Sequence, residues 1–185
     1  MRSLIYSMAL SLDGYIAGPE GEGGWARPDE ELHRFHNEQA SELGLHLLGR
    51  RLYEVMAYWE TAEERNPEAP DHALEFARIW KELPKIVYSR TLEAVEGNAT
   101  LSRADPVSEV GALKAQPGED IAVGGADLAS TLTARGLIDE YRLFETPVVL
   151  GGGTPFFKGP TRMDLELVET RTFGSGVVYL RYRRA

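Results

Sequence analysis

The stretch IAVGGADLASTLTARGLIDEYRLF, Ile121 to Phe144, constrains the fold more than any other part of the chain. Its first residues form a short apolar run, Gly124-Gly125 interrupts it, an amphipathic helix follows, and the chain returns to a strand before Phe144. Strand, glycine turn, helix and strand is the repeating unit of a parallel α/β sheet. The glycine pair also leaves bare backbone N–H groups at the positive end of a helix, which suits a phosphate or pyrophosphate. From this stretch alone two readings stand side by side: a nucleotide site, or a tight strand-to-helix turn that needs positive φ.

The same unit recurs along the chain. Leu4–Leu10 reads as a buried strand ending at the turn pair Asp13-Gly14, followed by a loop through Tyr15–Gly18 and a glycine-rich surface loop to Gly24. Pro28 and the acids after it mark a helix start, and the apolar spacing carries that helix to Leu43, with Gly44 as its C-terminal cap. Leu45–Leu48 is a strand that turns at Gly49-Arg50-Arg51 into a helix ending near Trp59. Thr61–Asp71, rich in Glu and Pro, reads as a surface loop, and Asp71–Leu83 as a helix stopped by Pro84. Strands are expected at Lys85–Tyr88 and Ala99–Ser102, and a helix at Pro106–Ala115. The alternating segments Asp164–Phe173 and Val177–Arg183, joined around Gly174-Ser175-Gly176, form a β-hairpin. The pattern defines one α/β domain over residues 1–185, with a mostly parallel central sheet, helices on both faces and a C-terminal antiparallel hairpin.

Composition narrows the function. The net charge of −9 argues against a general nucleic-acid or anionic-membrane binder. No run approaches the roughly 20 apolar residues of a membrane span, and the N-terminus reads as strand and turn rather than signal peptide. The chain has no cysteine, which removes thiolate chemistry and Cys-based metal sites and is consistent with a cytoplasmic setting. His33, His36, His46 and His72 show no metal-ligand spacing, so no metal is expected.

In a parallel sheet, ligands bind at the carboxyl ends of the strands. Three such ends offer anion-binding groups: Gly49-Arg50-Arg51, Ser89-Arg90-Thr91 and Gly124-Gly125-Ala126. Together they describe a cleft for a dinucleotide carrying an extra phosphate, with Ser89 and Arg90 suited to a 2′-phosphate through a hydroxyl and a forked guanidinium. The plainer reading makes each arginine a solvated surface cation.

Five segments, in order, carry a family resemblance: MALSLDGYIAG (Met8–Gly18), LLGRRLYE (Leu47–Glu54), VYSRTL (Val87–Leu92), VGGADLASTL (Val123–Leu132) and GLIDEYRLFETPVVLGGGTPFF (Gly136–Phe157). With them the chain resembles the dihydrofolate-reductase-like superfamily, most closely the reductase domain of riboflavin biosynthesis. The resemblance implies an NADPH-dependent oxidoreductase. It would set the backbones of Ala9 and Ile16 against the nicotinamide carboxamide, and Gly49, Arg50, Arg51 and Leu52 around phosphates. It would give the 2′-phosphate to Ser89 and Arg90, and the pyrophosphate and nicotinamide ribose to Gly124, Gly125, Ala126, Asp127 and Leu128. Leu52 stands where the family usually has Thr, which removes one phosphate hydroxyl.

The substrate side follows from the same resemblance. Dihydrofolate reductases carry a carboxylate just after Trp-x-x-Pro, and here Trp25 and Pro28 precede Glu30 and Glu31. Counting from Trp25 selects Glu30, whereas aligning Leu32 and Phe35 selects Glu31; helix-start acids also occur for dipole reasons alone. Trp25, Thr146 and Gly152 would border the substrate, and Arg27, Lys158 or Arg162 would meet a 5′-phosphate. Asp139-Glu140 is read as scaffold at the opposite end of the sheet. The closing hairpin and the strand Glu140–Thr146 would pair two copies into a homodimer. The activity most similar is reduction of 5-amino-6-(5-phosphoribosylamino)uracil; dihydrofolate reduction and a non-catalytic nucleotide-binding module are the alternatives.

Overall fold

The computed structural model describes residues 1–159 and 162–185. In chain order its elements are β1 (Leu4–Ser11), β2 (Tyr15–Ala17), α1 (Glu30–Ser41), β3 (Leu43–Gly49), α2 (Arg50–Met56), a 3-10 turn (Ala57–Glu60), α3 (Ala62–Arg65) and α4 (Asp71–Glu82). There follow β4 (Lys85–Tyr88), β5 (Ala99–Ser102), α5 (Pro106–Ala115), β6 (Asp120–Gly124), α6 (Ala126–Ala134), β7 (Glu140–Thr146), β8 (Thr154–Pro155), β9 (Leu165–Thr172) and β10 (Val178–Arg184). Eight strands form one sheet in the order β5-β4-β3-β6-β1-β7-β10-β9. From β5 to β7 all neighbours are parallel, and the closing hairpin β9–β10 joins antiparallel at β7.

The alternation of side chains assigns the helices to faces. Leu4 and Tyr6 of β1, Leu47 of β3, Ile121 and Val123 of β6, and Tyr141 and Leu143 of β7 point to one face, where they pack with Val110 of α5 and Leu128, Ala129 and Leu132 of α6. Neighbouring positions point to the other face: Leu48 and Val87 meet Tyr53 of α2 and Trp80 of α4, while Phe144 and Tyr179 meet Leu32 and Phe35 of α1. Trp80 anchors that second layer. It is 1% exposed, its Nε1 donates to Glu60 at 2.8 Å, and the ammonium of buried Lys85 lies 4.5 Å from its ring centre while donating to the carbonyl oxygens of Trp80 and Leu83.

Three expectations change. Gly44 lies within β3 and not at a helix cap; α1 stops at Glu42, whose N–H donates to Ala40. The Thr61–Asp71 loop contains α3, because Ala62 is buried and Glu63 pairs with Arg78 and Lys81 of α4. Tyr15–Ala17 is not loop but strand, paired antiparallel with Thr154–Pro155 across more than 130 intervening residues that local spacing does not report. At its other end α1 begins at Glu30, capped by the Asp29 carboxylate on Leu32 N–H at 2.9 Å.

Candidate active site

The parallel registers bring the predicted strand ends to one edge. Leu48 pairs with Gly124 and Gly49 with Tyr88, so Gly49, Ser89 and Gly125 follow one another at the carboxyl ends of β3, β4 and β6. The two helices that start there, like α3 and α4, carry no side-chain cap. Asp29 and Asp105 cap α1 and α5 through side-chain hydrogen bonds, whereas α2 and α6 start at Gly49 and Gly125 with no side-chain cap. Their first N–H groups have no partner within the helix and present the positive ends of two dipoles.

Gly125 is required by the close approach of these turns. Gly125 has φ +99°, and a Cβ on it would sit 3.4 Å from the backbone N and Cα of Gly49. Gly124 is buried under Leu52: a Cβ there would fall 2.3 Å from Leu52 Cδ2 and 3.4 Å from His46 Nε2. Leu52 therefore covers the strand end and packs into the α2–α4 layer, the structural role its apolar side chain suits. Asp127 is exposed and pairs with Lys158, whose carbonyl oxygen accepts from Ser130. Arg50 pairs with Glu54 at 3.3 Å.

Arg51 instead lines a cleft of about 660 Å3 with Gly18, Pro19, Glu20, Gly21, Gly153 and Thr154. The far wall of that cleft is a clasp between two loops. Asp13 accepts from Ser11 Oγ at 2.6 Å and from the N–H groups of Leu150 and Gly151 at 3.1 and 2.7 Å, which holds its carboxyl below the ordinary aspartate range. Leu12 N–H donates to Val148 and Phe156 N–H to Gly14, and β2 pairs with β8. Ile16 belongs to this clasp, and Gly152 approaches the Pro19 ring. Trp25 closes the neighbouring loop by donating from Nε1 to Glu22 at 3.1 Å.

The middle of central strand β1 is not fully covered. Ser7, Met8 and Ala9 are half-exposed between buried residues on either side, and Thr146 at the end of β7 pairs with Ser11. Ser7 and Ala9 carry small side chains on one face of this strand, while Met8 packs against the core on the other. His36 of α1 borders this region with its ring 4.3 Å from that of Phe144, the register partner of Ala9. Burial lowers the pKa of both His36 and His46 to about 4, so both imidazoles are neutral at physiological pH.

The two candidate acids are engaged elsewhere. Glu30 pairs with Arg34 at 2.9 Å on the exposed side of α1. Glu31 pairs with Arg171 of β9 at 2.9 Å and accepts from Gly174 N–H at 3.3 Å, and these hydrogen bonds pull its carboxyl below the ordinary range. A general acid needs the opposite shift. Neither carboxylate lines the cleft. Glu31→Gln is expected to leave turnover at the wild-type level and to lower the melting temperature only slightly; a collapse of turnover with unchanged melting would restore Glu31 as the acid.

Asp139-Glu140 lies at the amino end of the sheet, as its scaffold reading requires. Asp139 accepts from Leu4 N–H at 2.7 Å and pairs with Lys114, while buried Glu140 holds Arg142 at 2.6 Å and Arg183 at 3.3 Å. Asp13 and Arg103 escaped the sequence reading as site residues, whereas Gly153 belongs to the triple glycine Gly151–Gly153 that the reading set beside the substrate or at a close backbone crossing. Asp13 had a signal, the Ser-x-Asp-Gly turn; Arg103 had none, since its partners lie in another turn.

An α/β sheet of this order, closed by an antiparallel hairpin and carrying its cleft on the carboxyl edge, is dihydrofolate-reductase-like. The chain belongs to the RibD C-terminal domain family, whose model matches residues 2–179. It is 36% identical over 183 residues to the uncharacterized protein YyaP of Bacillus subtilis, covering 98% of this chain and 94% of that one. Among solved structures it resembles a protein of Shewanella sp. PV-4 assigned to riboflavin biosynthesis, with a TM-score of 0.77, 21% identity and coverage of 100% and 99%. It also resembles a diaminohydroxyphosphoribosylaminopyrimidine deaminase/5-amino-6-(5-phosphoribosylamino)uracil reductase of Thermotoga maritima (TM-score 0.65, 17% identity), covering 100% of this chain and 57% of that one.

Proposed function

We propose that this chain is an NADPH-dependent reductase that delivers hydride to a small heterocyclic or ribosyl substrate. The substrate class put forward is that of 5-amino-6-(5-phosphoribosylamino)uracil. The observation that carries the reading is the meeting of two uncapped helix starts, at Gly49 and Gly125, with Ser89-Arg90 on the adjoining strand end. The residues present fit such a cofactor. Glycine at 125 lets the two turns close on each other, and the N–H groups of Arg50–Leu52 and Ala126–Leu128 would be offered to pyrophosphate oxygens. Arg51, which lines the cleft, would meet the phosphates from its wall.

The bound cofactor would supply the hydride; the protein positions the partners and excludes water. Ala9 and Ile16 would hold the nicotinamide amide through their backbones, and Trp25, Thr146 and Gly152 would border the substrate. With Glu30 and Glu31 tied to arginines, solvent supplies the proton. Two copies associate through β9–β10, whose edge strand exposes Leu167 and Val168 at 51% and 37%.

Fluorescence titration with NADPH tests the reading first, and turnover is then followed by loss of reduced-nicotinamide absorbance with the aminopyrimidine substrate or dihydrofolate. Absence of NADPH binding at high micromolar concentration would end it. Replacing Ser89 and Arg90 together by alanine is expected to weaken NADPH about tenfold or more while sparing NADH. Equal losses would remove the 2′-phosphate from these residues.

A further inference from the structure

At the carboxyl end of β4 the turn Ser89–Leu92 is organised by a side chain from outside it. Arg103, just beyond β5, lies beside the turn because Tyr88 and Ser102 are register partners. One terminal nitrogen of its guanidinium donates to the carbonyl oxygens of Ser89 and Arg90 at 3.3 and 2.9 Å, and the other to that of Leu92 at 2.7 Å. From within the turn, Ser89 Oγ accepts from the N–H groups of Thr91 and Leu92 at 3.2 and 3.0 Å. The backbone is thus pinned through its carbonyls by Arg103 and through its N–H groups by Ser89. With both Oγ lone pairs in use, the Ser89 hydroxyl proton lies toward Thr91 Oγ1 at 3.5 Å, and an anion at the turn would take it over.

The charge is as informative as the geometry. Among the described residues neither Arg90 nor Arg103 forms an ion pair. Carbonyl oxygens satisfy the donors of a guanidinium without neutralising it, as a carboxylate would. Two uncompensated arginines therefore sit at neighbouring strand ends of a chain whose net charge is −9.

We propose that Arg103 is a positioning and specificity-determining residue for the ribose 2′-phosphate of the cofactor. It folds the Ser89–Leu92 turn around its guanidinium, holding Ser89 and Arg90 in place for the phosphate, and adds a second positive charge. The inference rests on the NADPH reading above.

The test compares wild type, Arg103→Ala and Arg103→Lys by fluorescence titration with NADPH and NADH, and by calorimetry with 2′,5′-ADP and 5′-AMP. Arg103 is exposed, so the variants are expected to fold, and thermal melting checks each. Arg103→Ala should weaken NADPH and 2′,5′-ADP by about tenfold and leave NADH and 5′-AMP unchanged. Arg103→Lys keeps the charge but not the fork, and should stay closer to the alanine variant than to wild type. A wild type that prefers NADPH, joined to an Arg103→Ala variant with the same preference, would overturn the role of Arg103 alone; full restoration by lysine would overturn its positioning role. A wild type that binds no NADPH would take down the cofactor reading and this inference with it.

Discussion

Gly153→Ala is expected to destabilise the protein by roughly 2–5 kcal/mol and to abolish turnover. Two independent costs add at this position. Its φ is +127°, a conformation L-residues rarely adopt, and a Cβ would lie 2.0 Å from the carbonyl oxygen of Ala17 and under 3 Å from the Gly18 backbone. The obstacle is backbone on the opposing loop, so no rotamer change relieves it. Relief requires β2 and β8 to separate, which dismantles the wall that Gly18–Gly21, Gly153 and Thr154 give the cleft. Gly111→Ala is the internal contrast. Gly111 sits in α5, and a Cβ there would meet nothing within 4 Å, so alanine should stabilise by about 0.5–1 kcal/mol. Urea unfolding of both variants reads the two signs directly. A Gly153→Ala protein as stable as wild type would mean that the clasp is not part of the folded state.

The second large effect is acid destabilisation carried by histidine. His36 and His46 have folded-state pKa values near 4 against an unfolded value of 6.5, in each case chiefly through burial, with His33 acting on His36 and Lys85 on His46. The unfolded chain therefore takes up protons that the folded chain refuses. The stabilisation is complete above pH 6.5, falls as pH drops toward 4, and amounts to about 3 kcal/mol for each ring over that window. His33 shifts in the same direction through burial and the neighbouring His72, opposed by Asn37 and Glu75. The depressed carboxyls of Asp13, Glu31, Glu63 and Asp105 act lower, because their unfolded values are 3.8 to 4.5. Urea midpoints taken from about pH 7 to about pH 4.5 isolate the histidines. A flat profile would contradict their burial as neutral rings, and His46→Gln should remove close to half of the slope.

Much of this molecule was legible in order, because the decisive signals are local. Gly49, Gly124 and Gly125 announce their turns by composition, and the β9–β10 hairpin announces itself by alternation around Gly174–Gly176. The shared edge followed from the parallel sheet once those turns were placed. What remained hidden depends on partners distant in sequence. Glu31 looks like a substrate carboxylate until Arg171, 140 positions later, is seen to hold it. Tyr15–Ala17 looks like loop because a three-residue strand becomes one only when Thr154–Pro155 is beside it. Arg103 looks like any surface arginine, since three backbone carbonyls leave no trace in composition.

The missing caps of α2 and α6 set a limit on how far this protein can be stabilised. Serine or aspartate at a helix start is among the most dependable ways to strengthen a fold, worth about 1 kcal/mol. At Gly49 or Gly125 it would place an oxygen where the phosphates are proposed to bind, and at Gly125 it would also require a side chain at φ +99°. On the proposed reading, selection for robustness and selection for ligand would compete for the same backbone N–H groups, and the paired glycines would be the mark of that competition.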